Sequence, residues 1–192
     1  QIEQQTKKKA LDFMDVAVDP QDPSHFFVTS YGTGLYEFRD SLLVGHYTSE
    51  NSILCSAVPD IPERYTRLES AVYDKDNCLW TIVNGEVDTT IVCFLPNGGQ
   101  RGVNLYLDAA TRFFVHTSSS MIIDAVRPEK KWAVSCRSIP AVVQLDDGGT
   151  PFDAQDDRCK VQTEFHDQNG GVIIPEYFYC LAQSPNGDIW IG

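Results

Sequence analysis

The feature that most constrains this chain is an internal repeat. Four segments share one grammar, a short apolar run followed by a polar turn and an aromatic-centred strand: VAVDPQDPSHFFVTSYGTGLYEF from Val16, SAVYDKDNCLWTIVNGEVDTTIVCF from Ser70, IIDAVRPEKKWAVSCRSIPAVVQL from Ile122 and YCLAQSPNGDIWIG from Tyr179. Aligning the aromatic centres places Phe27, Trp80, Trp132 and Trp190 in one register, at separations of 53, 52 and 58 residues. In three copies six residues separate the end of the apolar run from the anchor (Asp74 to Trp80, Val126 to Trp132, Ser184 to Trp190); the first copy takes eight, from Asp19 to Phe27. A near-constant period with constant inner spacing means a chain built from stacked units.

Each unit reads as β structure, with apolar and β-branched stretches of four to six residues bounded by Gly, Pro, Asn and Asp. Asn84-Gly85, Asn97-Gly98, Asp147-Gly148, Asn169-Gly170 and Asn186-Gly187 are turn dipeptides that accept a left-handed backbone. Gly32 and Gly34, in YGTGLYEF, predict a turn between two strands that needs positive φ; a ligand-binding loop is the alternative. No stretch sustains a 3.6-residue apolar period, and the best helical candidate, Gln4–Met14, lacks a clean apolar face. The fold class is therefore all-β.

A period of about 50 residues matches propeller blades, because a lone four-stranded blade cannot cover both its faces and blade-on-blade packing can. The expected architecture is part of a β-propeller, about three and a half blades over residues 1–192: 11–58, 66–118, 119–165 and an incomplete 175–192. Phe27, Trp80, Trp132 and Trp190 are the repeat anchors, each expected to be buried on the strand after a hairpin turn. A β-sandwich with coincidental spacing is the competing architecture. The fourth copy stops short of a counterpart to Gly34–Phe38, and QIEQQTKKKA has no apolar signal core. The expectation is a processed or excised piece whose ring is completed by the remaining blades of the same protein.

The segments quoted above, with DKDNCLW and SPNGDIWIG, resemble the two-component regulator propeller repeat of Bacteroidetes over about residues 16–192. In the third copy Ser138-Ile139-Pro140 replaces the repeat's Gly-Leu turn. Two groups carry this repeat, the periplasmic sensor regions of hybrid histidine kinases and the PorZ-type surface components of the type IX secretion system. The first copy, with HYTSENSIL after it, is more similar to the second group. That resemblance implies an exported binding and assembly module, in the periplasm or on the outer surface of a Gram-negative cell. It would have a protein or glycan partner at a blade face, within machinery that handles secreted cargo beside a sortase-like protease. The alternative it leaves open is a ligand-sensing propeller of a hybrid kinase.

Charge and chemistry narrow the function further. With 15 Lys and Arg against 27 Asp and Glu the net charge is −12, which disfavours nucleic acid and anionic membranes as partners. No run approaches the ~20 apolar residues of a membrane-spanning helix. His25, His46, His116 and His166 are scattered singly, and the common nucleophile, phosphate and zinc motifs are missing, so the expectation is no enzyme, no cofactor and no metal. His25 is expected to be solvated or capping. The acidic stretch Asp146, Asp147, Asp153, Asp156 and Asp157 fits no EF-hand and is expected to be a solvated loop. None of the six cysteines forms a CxxC pair, and mostly free, buried thiols are expected. Cys78 and Cys93 would face each other if their hairpin turned at Gly85-Glu86.

Overall fold

The computed structural model describes residues 10, 12–85, 89–103, 118–136 and 140–192. The Gln4–Met14 candidate therefore lies largely outside the described residues, as do His116 and the Ser138-Ile139 turn. The chain divides into two compact units, Gln1–Asn104 and Leu105–Gly192.

The first unit contains β1 (Phe13–Val18), β2 (His25–Gly32), β3 (Gly34–Arg39), β4 (Leu42–Tyr47), a single helical turn α1 (Pro62–Tyr65), β5 (Thr66–Tyr73), β6 (Leu79–Asn84), β7 (Ile91–Phe94) and β8 (Gln100–Val103). The sheet runs β4-β3-β2-β5-β6-β7-β8, with β1 beside β2. It consists of two antiparallel meanders, β1–β4 and β5–β8, joined where Tyr31 and Gly32 pair with Arg67 and Thr66. Two ladder slips sew the meanders together. β5 slips against β6 between Leu68 and Ala71, and there Glu69 O accepts from Thr29 Oγ1 and Ser70 O from Thr81 Oγ1, both at 2.9 Å. β1 slips between Phe13 and Val16, and the Asp15 carboxylate accepts from Ser70 Oγ (3.0 Å) and Ala71 N (3.1 Å). Bulges leave backbone groups without a ladder partner, and here side chains take them up, Thr29 and Asp15 from the neighbouring meander and Thr81 from β6 of the same one. Leu35, Leu68, Leu79, Val83 and Val92 form the core between them. β6 and β7 are buried on both faces, so LWTIV and IVCF carry no alternation.

The second unit is a four-stranded antiparallel sheet of β9 (Ser118–Ile123), β10 (Lys130–Ser135), β11 (Ala141–Asp146) and β12 (Arg158–Gln162), in the order β12-β11-β10-β9. Two further hairpins follow, β13 (Phe165–His166) with β14 (Val172–Ile173) and β15 (Leu181–Gln183) with β16 (Ile189–Ile191). Val134, Val142 and Leu181 form its core, flanked by Trp132, Phe178 and Ile189.

One hairpin lock recurs in both units. The amide of a turn-opening residue donates to a carbonyl across the turn: Asp19 N to His25 O, Asp74 N to Cys78 O, Asp124 N to Lys130 O and Ser184 N to Asp188 O, at 2.9–3.0 Å. In each case the aromatic anchor stands two residues beyond that carbonyl, at Phe27, Trp80, Trp132 and Trp190, on β2, β6, β10 and β16. The third copy thus opens at Asp124 and not at Val126, so its turn is as long as the first copy's. A fifth lock, Asp167 N to Gly171 O at 2.8 Å, puts Ile173 at the anchor position, which a search for aromatics passes over.

Burial of the anchors is uneven. Phe27 and Trp80 are buried, Trp132 is half-buried, and Trp190 is 65% exposed because β16 pairs with β15 alone. All five Asx-Gly glycines have positive φ. Of the other pair, Gly34 does (86°), whereas Gly32 does not and instead makes room for Arg64 O, 3.0 Å from where its Cβ would stand. The six cysteines form no disulfide among the described residues. Cys78, Cys93 and Cys136 are buried while Cys180 is exposed, against the expectation of buried thiols. Trp80 pairs with Cys93 in the β6–β7 ladder, so Cys78 is not opposite Cys93.

Two stability contrasts follow. Trp80→Ala should cost about 3–5 kcal/mol and Trp190→Ala no more than about 0.5 kcal/mol in urea denaturation. Gly34→Ala would set a Cβ 2.2 Å from Tyr47 O at positive φ, whereas Gly98→Ala meets nothing within 4 Å. We expect about 3 kcal/mol for the first and about 1 kcal/mol for the second by the same measurement.

Candidate functional site

The hairpin lock has a second half, and the first copy departs from it. In the second copy Asp74 Oδ1 caps the amides of Asp76 and Cys78 at 2.9 Å, while Oδ2 accepts from Trp80 Nε1 at 2.7 Å. In the third, Asp124 Oδ1 caps Val126 and Arg127 N at 3.0 Å and Oδ2 accepts from Trp132 Nε1 at 3.0 Å. The anchor of the first copy is Phe27, which has no N–H to give. His25, two residues earlier on the same face of β2, supplies the donor: its Nδ1 lies 2.9 Å from Asp19 Oδ2. Unlike an indole, the imidazole has a second nitrogen, and its Nε2 lies 2.8 Å from Glu37 Oε1. Glu37 is the β3 partner of Phe27, a place that Cys93 and Gln144 hold opposite Trp80 and Trp132. Tyr47 OH donates to Glu37 Oε2 at 2.6 Å and ends the chain of contacts.

This polar chain borders a cavity of about 280 Å³ in the first unit, whose other wall is aromatic. Phe27 lies 6.4 Å from both Tyr47 and Tyr73, and Tyr47 lies 5.4 Å from Phe94, centroid to centroid. Asn77, in the left-handed region at φ 59°, donates from Nδ2 to Asp19 Oδ2 at 3.5 Å, and its buried Oδ1 has no partner among the described residues. Burial works to raise the Asp19 carboxyl, but hydrogen bonds from His25, Gln21 N and Asn77 outweigh it and hold the group below its ordinary value. Burial, then the nearby Glu37 carboxylate, push the Tyr47 phenol up to about 12. Burial with the Asp19 and Glu37 charges pushes Tyr73 up as well. Both phenols are therefore neutral donors at any physiological pH.

The candidate residues are thus dispersed. Phe27 is at the cavity; Trp80, buried under the Arg101 guanidinium at 5.3 Å, is in the same unit but outside the lining; Trp132 and Trp190 belong to the second unit. Gly32 and Gly34 serve the β2–β3 connection. His25 is neither solvated nor a cap, and its role depends on a strand partner twelve residues away. The acidic loop also differs from the expectation: Asp147 is buried and paired with the equally buried Lys131, which covers a charge that sequence alone sends to solvent. Asp146 pairs with Lys130 at 3.6 Å. Among the described residues no group of His, Cys, Asp and Glu is arranged to hold a metal ion. None of their helices is long and apolar enough to cross a membrane.

The lock aspartates fix the acid limb of stability. Burial raises the Asp124 carboxyl, but Gln183, Trp132 and the backbone amides of Arg127 and Val126 prevail and hold it far below the usual carboxylate range. With folded values of Asp19 and Asp124 below the ~3.9 of an unfolded chain, their stabilisation is complete above about pH 4 and is lost as the pH falls through the folded values. Urea midpoints measured from pH 6 downward should decline below about pH 4, with a shallower decline for Asp124→Asn.

No protein-family model matches the chain, and no curated protein sequence matches it. Among solved structures it is similar to PorZ of Porphyromonas gingivalis, an essential bacterial surface component of the type-IX secretion system, at 26% identity and a TM-score of 0.76. That match covers 93% of this chain and 23% of PorZ. The chain is also similar in fold to the extracellular domains assigned to a one-component system (13% identity, TM-score 0.52, covering 94% of this chain and 26% of that one) and a hybrid two-component system (12%, 0.53, 98% and 27%) of B. thetaiotaomicron. The chain spans about a quarter of the length of each of these proteins. With four anchored hairpins at a period of 52–58 residues, an all-antiparallel fold and these neighbours, it is a stretch of β-propeller that resembles PorZ and the extracellular propellers of Bacteroides signalling systems.

Proposed function

We propose that the chain is a non-enzymatic binding and assembly module of an exported, PorZ-like protein that serves type IX secretion and surface attachment. The observation that carries this reading is the asymmetry between neighbours. Likeness to PorZ extends to 26% identity at a TM-score of 0.76, while the sensor domains share the fold at 12–13% identity and scores near the middle of the scale. The chemistry of the cavity fits a binder, because Asp19, His25, Glu37 and Tyr47 are joined in one hydrogen-bonded series whose carboxylates line the cavity. The partner is a protein or glycan held at a blade face, and the net charge of −12 disfavours nucleic acid.

In-frame removal of residues 1–192 from the chromosomal gene tests it. Type IX cargo should accumulate in the periplasm and disappear from the cell surface, read by fractionation and immunoblotting. Unchanged cargo display together with a lost transcriptional response to a carbohydrate would replace this reading with the sensor of a hybrid kinase.

A further inference from the structure

The cavity beside His25 combines two features whose shared ligand is a cation. Its acceptors are the Asp19 and Glu37 carboxylates, so what enters should bring N–H donors and positive charge. Its opposite wall is made of the rings of Phe27, Tyr47, Tyr73 and Phe94, and the electron-rich faces of aromatic rings attract ammonium and guanidinium groups. The fold already pairs these groups elsewhere: the Arg67 guanidinium lies 5.2 Å from the Tyr31 ring centre and 4.9 Å from that of Tyr65. We propose that this cavity receives a lysine or arginine side chain presented by a partner protein.

Size and access support that occupant. A space of about 280 Å³ falls just below the ~300 Å³ at which pockets for drug-sized molecules begin, and it suits one side chain. The polar end is reached from solvent, since Glu37 and His25 keep 19% and 13% of their side chains exposed. The Gly98 turn on the rim has nothing within 4 Å of its missing Cβ, which leaves the approach unobstructed for a backbone. A chain of net charge −12 also draws basic partners toward it. Arg39 lines the cavity too, but its side chain is half exposed and its guanidinium is held by Asp22, so it stands as a competing charge at the rim. This goes beyond the secretion reading and does not need it: a basic partner can be gripped here whichever pathway the protein serves.

The test uses the whole 192-residue chain, isotope-labelled, titrated at low salt with N-acetyl-lysine methylamide. The neutral isostere N-acetyl-norleucine methylamide and glucose serve as controls. Backbone amide shifts of Gly98, Gly99 and Gln100 and the ring signals of His25 report occupancy. The lysine probe should bind with a dissociation constant of about 10 mM or tighter and at least about tenfold more tightly than norleucine. Glu37→Gln should weaken binding about fivefold or more, and Arg39→Gln should strengthen it about twofold or more. If Glu37→Gln does not fold, Arg39→Gln decides alone, because its side chain is on the surface. Equal response to lysine and norleucine, response to glucose alone, no response at these residues, or an unchanged affinity in Arg39→Gln each overturns the proposal. None of these readouts involves cargo export, so failure here and failure of the secretion reading are separate results.

Discussion

Everything in this chain hangs on how a turn of four to six residues is kept closed without a ladder to hold it. The solution is an aspartate whose amide reaches across the turn, whose first carboxylate oxygen caps the turn amides and whose second oxygen holds a side chain on the returning strand. Asp74 and Asp124 do this with Trp80 and Trp132. At Asp124 the hydrogen bonds outweigh burial, so the carboxylate stays ionised under cover. The indole is fixed at both its polar and its apolar end, and with it the strand that carries the rest of the meander. Where Ser184 opens the turn, its hydroxyl is spent on Asp188, and the Trp190 ring stands out in solvent.

The cavity is a product of breaking that rule at Phe27. Phe27 keeps the hydrophobic half of the anchor and gives up the donor, so the lock is rebuilt from His25, and the second ring nitrogen brings in Glu37 and, through it, Tyr47. A site formed in this way costs the scaffold little, since the backbone geometry is that of the other hairpins and only side-chain identities change. Propeller blades offer such variation freely, because each blade's framework is supported by hydrogen bonds repeated in its neighbours.

The same distinction explains what could be read from the amino acids alone. Positive φ at Gly85, Gly98, Gly148, Gly170 and Gly187 is local chemistry, and Asx-Gly dipeptides announce it. The common register of the anchors was legible because it is a matter of spacing. The opening of the third copy was misplaced at Val126 because the end of an apolar run is a weaker marker than the carboxylate at Asp124 that closes the turn. His25 with Glu37, and Lys131 with Asp147, could not be anticipated: each pairing depends on a strand register that one residue of slip would invert. Cys78 and Cys93 differ from the expected pairing by two residues, which leaves both thiols on one face but sets Trp80 directly opposite Cys93.

The distribution of the three indoles has a practical consequence. The first unit holds a single tryptophan, Trp80, packed at 0% exposure with its N–H on a carboxylate and a guanidinium over its face. The second holds Trp132, half covered, and Trp190, mostly in water. Their emission spectra should differ accordingly, blue-shifted for the first unit and red-shifted for the second. Excitation at one wavelength therefore reads two bodies at once, and melting of either leaves its own spectral trace without any label attached.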